Sequence, residues 1–226
     1  RSAGKFDEYN LVSEVSSNAY FEADGSISNG SISVSANDTY FNENDQWNLD
    51  YIDIPKAWNR FSTVSRVFSV WIAVIDCGVK MNHPDLQDRL LTNYSVDVTQ
   101  SLSSGGYKKL IDLSDTASTT GQYTGSHGTM VAGVIAAQGN NSKGIAGVAS
   151  IASDSFARNS FKIMAIKADD NGPTDDRHIT QAHLDAAVDY AVENGAEIIN
   201  ISYSAPRSSY YHENSYMHLD NLEESI

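Results

Sequence analysis

Hydrophobic positions in this chain fall into short unbroken runs and helical stripes, separated by breaks rich in Gly, Ser and Asn. Residues 68–75 (Phe-Ser-Val-Trp-Ile-Ala-Val-Ile) are β-branched and aromatic, and they stop at Asp76-Cys77-Gly78. Such a run, closed by a glycine, predicts a strand buried on both faces that runs into a loop. Residues 162–167 and 197–202 predict two more strands of the same kind. Residues 127–138 predict a tightly packed helix, because Gly128, Ala132, Gly133, Ala136 and Ala137 interleave with Val131, Val134 and Ile135. Ser126 stands at its N-cap position. Residues 178–194 carry Leu184, Ala187, Val188 and Ala191 at helical spacing, with Asn194-Gly195 as the C-cap. Strand, helix, strand is a βαβ unit, which calls for parallel pairing and a right-handed crossover. The predicted class is α/β, a parallel β-sheet flanked by helices, with no internal repeat.

The first residues behave differently. Positions 25–37 are mostly Gly, Ser, Asn and Asp without a sustained period, so residues 1–36 are expected to be a linker, a pro-domain tail or an N-terminal extension. Residues 37–226 are then one domain-sized unit. The chain opens on Arg1, without Met and without a signal-peptide pattern, which reads as a processed or excised piece. A net charge of −14 excludes the counterion-release mode of nucleic-acid binding, so no nucleic-acid partner is expected. No apolar run approaches the ~20 residues of a membrane span. Cys77 is the single cysteine, which rules out an intrachain disulfide.

Functional groups of open parallel sheets gather at the carboxyl ends of the strands. Asp76 sits at such an end, although a carboxylate there also serves simply to cap a neighbouring loop. His127 opens a helix, where the positive end of the dipole disfavours protonation; a hydrogen-bonded structural histidine is the plain alternative. The strings around them add information. Val74-Ile75-Asp76-Cys77-Gly78-Val79 followed by His83-Pro84-Asp85-Leu86 resembles the segment around the catalytic Asp of the subtilisin-like serine proteases, the subtilases. His127-Gly128-Thr129-Met130-Val131-Ala132-Gly133 is similar to that family's motif around the catalytic His, and 140–149 to the loop that leaves the same helix. Asn200-Ile201-Ser202-Tyr203-Ser204 resembles the strand that pairs with bound substrate. Trp47-Asn48-Leu49-Asp50 and Ile54-Pro55-Lys56-Ala57-Trp58 resemble the start of the catalytic domain.

The resemblance implies a serine endopeptidase acting on peptide or protein substrates. Asp76 would orient His127, His127 would act as general base and then acid, and Ser202, Tyr203 and Ser204 would bind substrate as an added strand. It implies no cofactor for catalysis, a structural calcium at Asp85 and Asn141, and a secreted or cell-surface location. The family's Gly-Thr-Ser motif, which carries the nucleophile, is absent, and the only Gly-Thr is Gly128-Thr129. Gln138-Gly139-Asn140 superficially matches the family's oxyanion Asn string but belongs to the helix exit. The expectation is therefore an N-terminal portion whose partner is the C-terminal remainder carrying the Ser. The alternative is an inactive pseudoenzyme or peptide-binding module. Cys77 replaces the usual Thr or Ser and is either a buried filler or a thiol-sensitive point. Met130 replaces a second His. Asp76 and His127 stand 51 positions apart, which predicts an insertion with loops at Gly105-Gly106 and 114–124. Ser204-Ala205 in place of Gly-Gly would narrow the groove. Asp169-Asp170-Asn171-Gly172 reads as a tight turn after a strand, and His178 and His183 are wrongly spaced for a catalytic zinc.

Overall fold

The computed structural model describes residues 36–42, 45–62, 69–101, 105–110, 126–150, 160–169 and 179–203. The expectations for 1–35, 114–124, 170–172, His178, Ser204 and 208–226 lie outside the described residues.

Among the described residues three short helices come first: α1 (Thr39–Asn42), α2 (Trp47–Tyr51) and α3 (Ile54–Ser62). They are followed by β1 (Val70–Asp76), β2 (Val96–Ser101), β3 (Tyr107–Lys109), α4 (Ser126–Ala136), β4 (Phe161–Lys167), α5 (Gln181–Glu193) and β5 (Ile198–Ile201). The sheet order is β3-β2-β4-β1-β5. β1 pairs in parallel with β4 from Val70↔Phe161 to Asp76↔Lys167, and with β5 from Ile72↔Ile198 to Ile75↔Ile201. β2 joins β4 in parallel, and only β3 runs antiparallel. The chain thus has the expected α/β class, a mostly parallel sheet between helical layers.

Strand parity builds the layers. Ile72, Val74, Ile163 and Ala165 pack with Ala132, Ala136 and Ala137 of the α4 segment. Ala73, Ile75, Met164 and Ile166 pack with Leu184, Ala187, Val188 and Ala191 of α5. Both faces of β1 and β4 are therefore covered, which is why they read as unbroken apolar runs rather than alternating ones. α5 begins at the cap Thr180, whose Oγ1 accepts from His183 N at 3.2 Å, and ends at Asn194 before Gly195 at φ +82°.

Several boundaries shift by one to three residues from the sequence expectation, and three differences lie close to the Asp76–His127 region. α4 starts on Ser126, so this serine is the first helical residue and not the cap. α4 also stops two residues early, because the Gln138 amide donates to the Asp85 carbonyl at 2.8 Å. The stretch between Asp76 and His127 contains a β2–β3 hairpin around Gly105 (φ +87°) and Gly106 (φ +81°), where only a loop was expected.

The N-terminal helices are tied to the loop after α4. Trp58 is buried and donates Nε1 to the Val148 carbonyl at 3.0 Å, while Gln46 exchanges two hydrogen bonds with Ala146. This loop is reached by Asp85, Asp38 and α3 at once, so it is fixed from three sides.

Candidate active site

Asp76 is the last residue of β1 and continues the Ile72–Val74 row, so its side chain leaves the sheet on the α4 face. The first turn of α4 brings His127 to the same place. Its Nδ1 lies 2.9 Å from both Oδ1 and Oδ2 of Asp76. A carboxylate only accepts, so Nδ1 carries the proton and Nε2 is the nitrogen left with a lone pair. The pair is asymmetric: the Asp76 side chain is 4% exposed and that of His127 is 49% exposed. Asp76 Oδ1 also accepts from Cys77 N at 2.7 Å. The carboxylate is thus dry and held, whereas half the imidazole faces outward.

Residues beside the pair let strand end and helix start approach closely. Gly78 has φ +100°, a conformation that favours glycine. A Cβ on Gly128 would run into the Gly78 carbonyl oxygen and lie 3.0 Å from Asp76 Cβ. Gly128 N donates to Cys77 Sγ at 3.4 Å, and Lys80 N donates to Thr129 Oγ1 at 2.9 Å. Cys77 is buried, as a filler would be, and its sulfur joins the two segments.

A cleft of about 260 Å³ opens over the pair, lined by Asp76, Cys77, His127, Asp169, Ile179, Ser202 and Tyr203. Of the sequence-expected substrate residues, Ser202 and Tyr203 are here, just after β5; Ser204 lies outside the described residues. Ser202 Oγ accepts from Asn200 Nδ2 at 2.9 Å. Asp169 and Ile179 were not expected at the site. The available signal for Asp169 was its place two residues beyond Lys167, at the same end of the sheet as Asp76. Lys167, in register with Asp76, is buried; its Nζ donates to the Asp169 carbonyl at 2.6 Å and lies 3.6 Å from Asp97 Oδ2.

Asp85 and Asn141 meet in a second cluster. Asp85 Oδ1 accepts from Asn141 Nδ2 at 2.7 Å and Oδ2 from Ile145 N at 3.1 Å. Asp38, also buried, accepts from Asn140 N at 2.7 Å and Asn141 N at 3.4 Å. Two carboxylates from other segments and an amide of this loop, brought together, are the donor class calcium takes. Asn141 here turns its nitrogen to Asp85, and its Oδ1 accepts from Lys143 N at 2.8 Å. A cation between Asp85 and Asn141 would need that amide to rotate. Among the described residues no group of three or more His, Cys, Asp or Glu is gathered for a metal.

Burial pushes the Asp38 carboxyl above its usual range, and the neighbouring Asp85 charge adds to this against the backbone N–H groups of Asn140, Asn141 and Asp38 itself, which lower it. An acid whose pKa is raised by folding takes up a proton more readily in the folded state. Asp38 therefore weakens the fold at neutral pH, and this cost disappears as pH falls through its raised pKa. We expect Asp38→Asn to flatten this part of the stability curve between neutral and mildly acidic pH, read by urea unfolding at several pH values.

The sheet and its buried carboxylate–imidazole pair define an α/β protein with an acid–base couple at the carboxyl ends of parallel strands. The chain belongs to the subtilase family: the Subtilase family model (Peptidase S8) matches residues 69–224. It is 32% identical over 166 residues to thermitase of Thermoactinomyces vulgaris, a match covering 74% of this chain and 47% of thermitase. It is 31% identical over 166 residues to the minor extracellular protease Epr of Bacillus subtilis, covering 73% of this chain and 20% of that one. It is 32% identical over 140 residues to the major intracellular serine protease of the same organism, covering 61% and 35%. The chain thus spans about half of thermitase and less of the other two. α1, α2 and α3 precede the residues that the family model matches.

Proposed function

We propose that this chain is the Asp- and His-bearing portion of a subtilisin-like serine endopeptidase, completed by a C-terminal remainder that supplies the Ser. The observation that carries this is the placement of His127 Nδ1 at 2.9 Å from both Asp76 oxygens beneath the cleft. Asp76 fixes the imidazole tautomer and offsets the charge that forms when Nε2 takes a proton. His127 then accepts the proton of the incoming hydroxyl and later returns it to the leaving amine. Ser202 and Tyr203, at the end of β5, offer backbone groups to an extended peptide on the cleft side. A peptide-binding module would have no use for a dry carboxylate aligned on an outward imidazole.

Labelling of the purified protein with a fluorophosphonate, read by intact mass, tests this. An adduct on a co-purifying polypeptide that is lost with His127→Ala is the expected result. Absence of an adduct on every species, together with no peptide hydrolysis, overturns it.

Two further properties belong to the same proposal. Secretion is supported by the extracellular relative, against which stands the intracellular one; no described helix is long and apolar enough to cross a membrane. A structural calcium at Asp85 and Asn141 is supported by the donor class of the loop. Calcium should then raise the melting temperature of the wild type, while Asp85→Ala should lose this response. Asp85→Ala should also cost about 1–3 kcal/mol, because two part-buried N–H groups lose their acceptor. A wild-type melting temperature indifferent to calcium and to chelator leaves the loop as a hydrogen-bonded one without a cation.

A further inference from the structure

The cleft beside His127 has a wall that the Asp–His pair does not use, formed where the chain leaves β4. Asp169 and Ile179 line the cleft there and bridge each other antiparallel. The backbone of this wall is tied to the sheet at two successive residues. Ala168 N donates to the Asp76 carbonyl at 3.0 Å, and the Asp169 carbonyl accepts from Lys167 Nζ at 2.6 Å.

A lysine is a costly donor for this task. Its side chain is 6% exposed, so an ammonium has been taken out of water. Asp97 answers the charge, with Oδ2 at 3.6 Å from Nζ. The sheet register allows them to meet: Asp97 of β2, Lys167 of β4 and Asp76 of β1 stand side by side on adjacent parallel strands. Asp97 is itself held. Its Oδ1 accepts from Thr99 N at 3.0 Å and from Thr99 Oγ1 at 2.6 Å, and its Oδ2 accepts from Gln100 Nε2 at 3.2 Å. A buried ion pair adds little stability over an apolar pair of the same volume. What this one adds is a fixed donor, since no apolar side chain at position 167 could bond the Asp169 carbonyl.

We infer that Lys167 is a positioning residue for substrate: its ammonium, neutralised by Asp97, sets the backbone of the cleft wall at Asp169 and so the peptide path beside the Asp–His pair. Lys167 is not among the residues that line the cleft, so it acts through the wall. This rests on the cleft taking peptide, as the proposed endopeptidase requires. Asp169 is buried, so a carbonyl deprived of the ammonium turns to another donor or admits water, and the wall moves with it. The Asp–His pair keeps its own bonds, to each other and to Cys77 N.

The test uses the purified protein with whatever polypeptide accompanies it. A panel of fluorescein-labelled, end-capped hexapeptides is titrated by anisotropy, and the tightest binder is carried through the variants. Lys167→Met should weaken its binding about 10-fold, while the fluorophosphonate labelling rate stays within about 3-fold of wild type. Lys167→Met leaves Asp97 buried without its counter-charge, so the double variant Lys167→Met with Asp97→Asn guards against loss of the fold. It should show the same loss of peptide binding at a temperature well below its melting point. A residue serving stability alone would shift the melting temperature and leave binding by the folded protein unchanged. Peptide binding by the folded double variant within about 3-fold of wild type therefore overturns the inference. So does a labelling rate that falls in step with binding, because the effect would then pass through Asp76 and His127. A double variant that does not fold makes the pair structural and overturns it too. Where no species labels, the peptidase assignment fails by itself, and peptide binding alone decides the role of Lys167. A wild type that binds no peptide of the panel overturns the inference and leaves the assignment to the labelling.

Discussion

Replacing His127 by alanine in the active protease should lower kcat by roughly 10⁶, whereas Asp76→Asn should lower it by roughly 10⁴. The difference follows from what each group does. Without the imidazole the base above Asp76 is gone, and the Asp76 carboxylate beneath it has a side chain only 4% exposed. With Asp76→Asn the imidazole remains, but the amide places its NH₂ or its oxygen against Nδ1. When NH₂ faces the ring, Nδ1 becomes the acceptor and Nε2 carries the proton, which is the wrong tautomer for a base. His127 is half exposed, so His127→Ala should leave thermal stability almost unchanged. Asp76→Asn should reduce stability more, because the Cys77 amide also depends on Oδ1. The measurement is kcat on a fluorogenic peptide, beside the fluorophosphonate labelling rate of the preparation that contains the nucleophile-bearing polypeptide. A His127→Ala protein that keeps even a hundredth of wild-type turnover would remove His127 from the proton path.

How far the sequence foretold this site depends on the kind of signal involved. β1 and β4 were legible because both their faces are covered, so their central residues, 72–75 and 163–166, had to be apolar; α5 was legible because Leu184, Ala187, Val188 and Ala191 share one buried stripe. Asp76 and His127 were legible because glycines with steric duties stand beside them and give the strings their character. The β2–β3 hairpin was not, since Val96 and Val98 are the only apolar residues of β2 and β3 is three residues long. Asp169 was missed for a different reason. Its place at the cleft comes from the parallel register that sets β4 beside β1, a long-range pairing that no local pattern encodes. The Asp85–Asn141 contact was expected, but the way the amide faces was not. Rotation about one side-chain bond exchanges a hydrogen-bond donor for a cation ligand, and sequence carries no record of it.

Gly128→Ala should be the most damaging single-methyl change near the site. The added Cβ meets the Gly78 carbonyl oxygen on one side and Asp76 Cβ at 3.0 Å on the other, with Asp76 Oδ1 at 3.1 Å. None of these can step aside cheaply. Gly78 is backbone held at φ +100°, and Asp76 is anchored by β1 and by its bonds to His127 and Cys77. The first turn of α4 must therefore move away from the strand end and carry His127 with it. Overpacking of this kind costs about 3 kcal/mol, which for a protein of this size lowers the melting temperature by about 6–12 °C. A shift of about 1 Å in the imidazole should cost a further ~10² in kcat, with KM much less affected. Gly139→Ala is the control: its nearest obstacle is the Ser150 hydroxyl, a side chain that can change rotamer, and the position is remote from the pair. It should lose less stability and keep kcat. Equal kcat values for Gly128→Ala and wild type would mean that the close approach of strand end and helix does not hold the Asp–His geometry, and that the glycine after His127 serves packing alone.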